Sequence, residues 1–272
     1  MLAAILEDAR QNAGPLGPSV WPLEIATENL SDMMPGLVGD VGVQPIDEDA
    51  REFFPYLVHG AKYDLCTAMD MSLIGQHAGG WKTICEVGGG FGRLAEAFLR
   101  NGPCHFVMLD AVPAVLMYAY EYMRAAFPQH RIGSYYAGDT YGPGWDCYVL
   151  PMWRSDLLPD GAFDLSLNVE SMQEMNAFQV AYVLGLFERL MHEGSLSYIS
   201  NARDYKYRGP WPFPPNWEVL FQHNTPRSWT RDHPTVIFRK GSADYTASQQ
   251  AAAALYRHEQ QSWDARLASL KR

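Results

Sequence analysis

Only four cysteines occur in 272 residues, Cys66, Cys85, Cys104 and Cys147, and no two of them stand as C-x-x-C. That spacing offers neither a disulfide framework nor a zinc site. Cys85 and Cys147 fall in apolar runs, where cysteine behaves as a small hydrophobe. Positive charge is scarce as well: 21 Lys and Arg stand against 31 Asp and Glu, a formal charge of −10. A nucleic-acid partner and an anionic-membrane role both want a positive surface, so neither is expected. No uncharged apolar run approaches the ~20 residues needed to span a bilayer. The opening MLAAILEDARQN places acids where a signal peptide keeps an apolar core, and reads as a short amphipathic helix of a cytoplasmic protein. Internal repeats are missing, and so is disorder-type composition, with 47% hydrophobic and 19% charged residues.

What the sequence does have is a dense glycine cluster at its centre. Ile84-Cys85-Glu86-Val87-Gly88-Gly89-Gly90-Phe91-Gly92-Arg93 runs straight into Leu94-Ala95-Glu96-Ala97-Phe98-Leu99. An apolar strand ends in a carboxylate, turns through glycines that permit positive φ and close approach of a ligand, and leaves as a helix. The helix start aims unpaired N–H groups and the positive end of its dipole at the same spot. This is a nucleotide-type cofactor cradle at the C-terminal edge of a first parallel strand. Gly90-Phe91-Gly92-Arg93-Leu94-Ala95 satisfies the dinucleotide pattern G-x-G-x-x-A. Glu86 extends it to E-x-G-x-G-x-G, and a carboxylate there suits a cationic amino-acid moiety better than a pyrophosphate. The cofactor expected on Glu86, Gly88, Gly89, Gly90 and Gly92 is S-adenosylmethionine, with NAD(P) or FAD as the alternative; a turn that binds nothing would leave the buried acid unexplained.

The rest of the chain reads as the sheet that supports this loop. After the N-terminal helix, residues 14–45 are punctuated by Pro and Gly; stretches this long are commonly lids or oligomer arms, so a homo-oligomer is among the expected states. Helical spacing returns over 48–76, and Gly79-Gly80 ends it. Strands are predicted at Trp81–Glu86, His105–Asp110, Cys147–Leu150, Phe163–Asn168 and Ser195–Asn201. Helices are predicted over 94–100, 114–127 and 177–192, the last closed by Glu193-Gly194. Strands alternating with helices imply right-handed βαβ units and a parallel sheet. Two more strand-like runs, Trp217–Phe221 and Thr235–Arg239, follow a Pro- and Trp-rich stretch, and 243–272 reads as a terminal amphipathic helix. The expected organisation is a helical and lid extension over 1–78, a cofactor-binding core over 79–242 with a substrate loop near 202–217, and the C-terminal helix.

Asp110 ends the second strand 24 residues after Glu86, where an acid can accept from ribose hydroxyls; a cap for the next helix is the plainer role. Met152 and Trp153 follow the third strand where an adenine ring would be sandwiched, although core packing suits them equally. Tyr63, in Lys62-Tyr63-Asp64, can reach the amino-acid end of such a cofactor. The run Asn168-Val169-Glu170-Ser171-Met172-Gln173-Glu174-Met175 leaves the fourth strand at the sheet edge where ligands bind.

Taken together, Glu86-Val-Gly-Gly-Gly-Phe-Gly-Arg-Leu, Leu109-Asp110 and Asn168-x-x-Ser171-Met172-Gln173-Glu174-Met175 resemble the sugar O-methyltransferase family of the class I S-adenosylmethionine-dependent methyltransferases. The resemblance covers roughly residues 60–200. It implies an α/β, Rossmann-like class I methyltransferase fold, with a mostly parallel seven-stranded sheet ending in an antiparallel hairpin. It implies cofactor contacts at Asp110 and Asn168, and at Ala111, which departs from the Leu-Pro usual after that aspartate. The implied acceptor is a small, sugar-like molecule. A sugar hydroxyl needs a general base, and the candidates are Glu170, Glu174, His223 and His233, with Glu170 favoured by its place at the strand end. Aromatics and polar groups over 205–217 suit contact with a sugar ring, and a proline-stiffened loop that packs its aromatics on the domain would account for them equally. The acids Asp47, Glu48 and Asp49 read as a solvated helix start, and no metal site is expected. The open alternatives are N-methylation of an amino sugar, an NAD(P)-dependent oxidoreductase, and a non-catalytic cofactor-binding scaffold.

Overall fold

The computed structural model describes residues 61–78, 80–202, 211–224 and 233–254. The expected N-terminal helix, the 14–45 stretch, residues 205–210 and the end of the terminal helix lie outside the described residues. The chain divides after Pro159 into two compact units.

In the first unit, α1 (Ala61–His77) precedes β1 (Thr83–Val87), α2 (Arg93–Asn101), β2 (His105–Asp110), α3 (Pro113–Ala126), β3 (Ile132–Ser134) and β4 (Cys147–Pro151). Its strands lie in the order β3-β4-β2-β1, all parallel. Near-continuous burial along β1, β2 and β4 explains why they read as unbroken apolar runs: both faces of a parallel sheet are covered. Phe98 of α2 anchors one face, its ring 5.1 Å from Trp81 and 5.6 Å from Phe106. Pro113 opens α3, where its fixed φ is pre-set for a helix and its missing N–H costs nothing.

The second unit holds β5 (Phe163–Val169), α4 (Ala177–Leu190), β6 (Met191–Ser200), β7 (Trp217–Asn224) and β8 (Pro234–Lys240), then a helix over 246–254. Its strand order is β5-β6-β8-β7, with β5 and β6 parallel and the last two joined as an antiparallel hairpin, as expected. A reciprocal capping box between Asn176 and Gln179 starts α4. Glu188 on that helix ties down the hairpin. It accepts from the Trp217 indole at 2.5 Å and from Asn216 at 2.9 Å, while Lys240 donates to the Glu188 and Met191 carbonyls at 2.5 and 2.9 Å.

Two expectations need correction. The strands number eight among the described residues, not seven, because Ile132–Ser134 forms the short edge strand β3. Three residues with a central glycine carry no readable period; Gly133 is there because a Cβ would sit 2.6 Å from the Trp145 ring. The helix expected to run to His192 stops at Leu190, and β6 begins at once at Met191. Glu193-Gly194 belongs to an exposed irregular start of that strand, with Gly194 at φ 88° and the β5–β6 register shifting between Phe163 and Leu165. Among the described residues no helix is long and apolar enough to cross a membrane.

Trp217 is fully buried with its indole N–H spent on Glu188. Trp217→Phe keeps most of the apolar contact but removes one of the donors to that carboxylate, which keeps Asn216 and Lys240, and is expected to cost about 1 kcal/mol in a urea titration. An unchanged midpoint would mean that the indole bond to Glu188 contributes nothing.

Candidate active site

The cradle belongs wholly to the first unit. β1 delivers Glu86 to the edge of the sheet, and the chain then turns against the end of β2: the Gly88 and Gly89 amides donate to the Leu109 carbonyl at 2.8 and 3.4 Å. Gly92 closes the turn by donating to Gly89 at 3.0 Å, and its own carbonyl accepts from Glu96 in the first turn of α2. It stands at φ 99°, and a Cβ there would meet the Met123 sulfur at 2.9 Å, so two constraints exclude any other residue. Gly89 is small for a different reason. A Cβ on it would lie 3.1 Å from Glu86 Oε2 and 3.1 Å from the Met108 methyl.

Glu86 is 3% exposed, and its Oε2 has no hydrogen-bond partner. Burying a carboxylate without a partner is costly. Its carboxyl is pushed up to about 8, first by burial, then by the charges of Asp110 and Asp70, with Arg93 pulling the other way. Asp110 is half-buried at the end of β2, and its Oδ1 accepts from Val112 N at 2.9 Å, the turn-forming bond of the plainer reading. Ala111 follows it, also half-buried. Asp110 stands in register with Pro151, so Met152, 1% exposed, and Trp153, 6% exposed, begin the 3₁₀ turn after β4 beside it. Tyr63 lies in α1, but its side chain is outside the described residues. Asp70 and Arg93 were not singled out from sequence. Asp70 had a signal: it shares a helical face with Thr67 and Ile74, and all three are buried.

The second unit builds its own polar cluster. Asn168, fully buried at the end of β5, accepts on Oδ1 from Met172 N at 3.1 Å and from Asn201 Nδ2 at 2.9 Å. Asn201 in turn accepts from Gln173 N at 3.2 Å, and Gln173 accepts from Ala202 N at 2.6 Å. These amides clamp the turn that carries Glu170, the non-glycine residue with positive φ (56°) among the described residues. A left-handed non-glycine conformation persists only when its surroundings over-determine it, and such sites cluster where function needs a fixed side chain. Glu170 N donates to Ser200 O at 2.8 Å, and the Ser200 and Thr235 hydroxyls share a 2.7 Å bond. His233 is fully buried just before Pro234, whose carbonyl accepts from Asn201 N. Glu170, Asn168 and His233 therefore gather at one end of β5, β6 and β8.

The other two base candidates do not join them. Val169, Ser200, Thr235 and His223 form one row across four strands, so His223 is about 14 Å from Val169 at the usual strand spacing, on the edge strand and exposed. Glu174 ends a 3₁₀ turn and is exposed too.

No family model matches the sequence, and no curated protein matches it. Solved structures do resemble it. The [4+2]-cyclase SpnF is similar at a TM-score of 0.52 and 11% identity, over 80% of this chain and 96% of that one. The 1,6-didemethyltoxoflavin-N1-methyltransferase of Burkholderia thailandensis, solved with S-adenosylhomocysteine, is similar at 0.49 and 15%, over 80% and 90% of the two chains. A SAM-dependent methyltransferase of Methanosarcina mazei is similar at 0.47 and 11%, over 63% and 98%. The likeness to SpnF establishes the fold, a Rossmann-like α/β architecture, and at this identity establishes nothing finer.

Folding raises the Glu86 carboxyl from 4.5 to about 8. Between those values the folded chain keeps a proton that the unfolded chain has lost. Its contribution to stability therefore falls as pH climbs through that window and levels off above about 8. Glu86→Gln is neutral throughout, so its melting temperature should gain on the wild type from pH 5 to 7 to 9. A difference that stays constant with pH would contradict this account of Glu86.

Proposed function

We propose that the chain is an S-adenosylmethionine-dependent methyltransferase whose acceptor is a hydroxyl of a sugar or glycosylated small molecule. The observation that carries the cofactor is the buried Oε2 of Glu86, which has no hydrogen-bond partner and lies so close against the glycine loop that a Cβ on Gly89 would come within 3.1 Å of it. A cationic donor would complement a carboxylate there, whereas the negative charge of a pyrophosphate would be repelled by it. Glu86 would take the ammonium of the cofactor, the amides of Gly88–Gly92 would line its cradle, Asp110 would accept from the ribose, and Met152 and Trp153 would flank the adenine. When bound, the cofactor supplies an electrophilic methyl group on a sulfonium.

The chain's own contribution to transfer is to hold the acceptor in line and to take its proton. Glu170 is assigned the base: the amide clamp fixes its backbone in a left-handed conformation that costs stability at the end of β5. His233, buried at the same strand ends, is the second candidate. The hydroxyl acceptor rests on the resemblance of the 168–175 run and on the presence of these bases, since an unprotonated amine would need less help. SpnF is a cyclase on this fold, so the fold by itself does not supply methyl transfer and the reading stands on Glu86.

The test is transfer from methyl-labelled S-adenosylmethionine to a panel of hexoses, methyl glycosides and amino sugars, with products assigned by NMR. Formation of an O-methyl ether is expected. Glu170→Gln should then lower turnover by on the order of 10²-fold or more, with cofactor affinity held within about twofold. N-methylated amino sugars as the sole products would overturn the hydroxyl assignment, and unchanged turnover would remove Glu170 from the mechanism.

A further inference from the structure

One face of helix α3 grips the glycine loop. Tyr118 and Tyr122, one turn apart on that helix, lie with their rings nearly parallel, 7° between planes and 6.2 Å between centroids. Phe91, between Gly90 and Gly92, sets its ring almost at right angles to both, 6.1 Å from each, and so sits between the two tyrosines. Met123, next along α3, fills the space that a Cβ on Gly92 would need. The Tyr122 hydroxyl donates to Glu96 Oε2 at 2.5 Å, and Glu96 N donates to the Gly92 carbonyl at 2.8 Å, which joins the hydroxyl to the backbone of the loop. Glu96 is 3% exposed and is also held by Arg100 Nε at 2.8 Å. Burial and the bond to Glu96 push the Tyr122 phenol well above its ordinary range, so it remains a donor. The same helix starts at Asp110: Val112 N donates to Asp110 Oδ1 at 2.9 Å, and Leu116 N to the Val112 carbonyl at 3.1 Å. One rigid element therefore fixes the acid that ends β2 and the loop that follows β1 relative to each other.

We propose that Tyr122 is a positioning residue for cofactor binding: through Glu96 and Phe91 it holds the glycine loop at a set distance from Asp110, so that the cradle is formed before a ligand enters it. The inference rests on the cofactor assignment made above. Glycine has the most backbone freedom to lose on ordering, and Gly88, Gly90 and Gly92 all stand at positive φ here. Ordering such a loop in advance removes that cost from binding. A tyrosine with a merely structural role would lower the melting temperature when truncated and leave the affinity of the folded protein unchanged. A positioning tyrosine lowers the affinity itself.

The test is calorimetric titration of the full chain with S-adenosylmethionine, paired with hydrogen exchange of a peptide spanning 87–95 in the unliganded protein, both well below the melting temperature. Tyr122→Phe removes the hydroxyl and keeps the ring. It is expected to weaken binding on the order of tenfold and to speed exchange of the loop amides by roughly the same factor. Tyr120→Phe is the control: the same helix loses a hydroxyl from a face turned away from Tyr118 and Tyr122, and both readouts should match the wild type. Should Tyr122→Phe not fold, Phe91→Leu, which takes away the ring seated between the two tyrosines, must show both effects. Wild-type affinity in Tyr122→Phe, unchanged exchange across 87–95, or an equal loss in Tyr120→Phe would each overturn the positioning role. Failure of the wild type to bind S-adenosylmethionine would instead overturn the cofactor assignment, and this inference with it.

Discussion

A carboxylate buried with one oxygen unsatisfied is the constraint on which the first unit depends. Glu86 is almost wholly buried, and the loop against it is glycine at position 89, where a side chain would press on its Oε2. Its acidic neighbours worsen its position, since Asp70 and Asp110 both act to keep it protonated, while Arg93 opposes them. A fold optimised for stability alone would place an apolar residue there, as β2 does with Met108 in the paired position. The cost is local, and the parallel strands on β1's flank, buried along both faces, hold the loop against it. The tight turn through Gly92 serves the same end, because it sets the start of α2 directly over the loop.

The second unit stores a cost of the same kind in a different form. Its strained residue is Glu170, held left-handed at the end of β5 by the amides of Asn168, Gln173 and Asn201, which bond one another and the backbone of that turn. Such a clamp is rigid, since each amide positions the next. It also explains why Asn168 and Asn201 can be fully buried and polar. The Glu188 tie to Trp217 and Lys240 secures the far end of the same strands, so hydrogen bonds hold both the hairpin at one end and the polar cluster at the other.

Much of this was legible in the sequence, and the parts that were not have definite causes. Parallel strands buried on both faces announce themselves as apolar runs, which is why β1, β2, β4 and β5 were placed to within about two residues. β3 was invisible because three residues around a glycine show no period. The end of α4 was misjudged because Glu193-Gly194 is helix-stopping chemistry, whereas here it forms the irregular start of a strand. The glycine loop was readable because several of its residues admit no substitute. Asn168 was singled out as a ligand contact, and its amide oxygen is occupied within the fold. Its partner Asn201 could not be found, since pairing across 33 residues leaves no local pattern. Asp70 was readable in principle, as an acid on the buried face of a helix.

The central claim is that Glu86 waits, protonated, for a cation. The most direct measurement is calorimetric titration at pH 7 with S-adenosylmethionine and with NADH, each in two buffers of different ionisation enthalpy. The account predicts binding of S-adenosylmethionine with release of close to one proton per ligand, as the carboxyl held at about 8 gives up its proton to pair with the incoming charge, and no binding of NADH. Binding of NADH, or binding of S-adenosylmethionine without proton release, would contradict it.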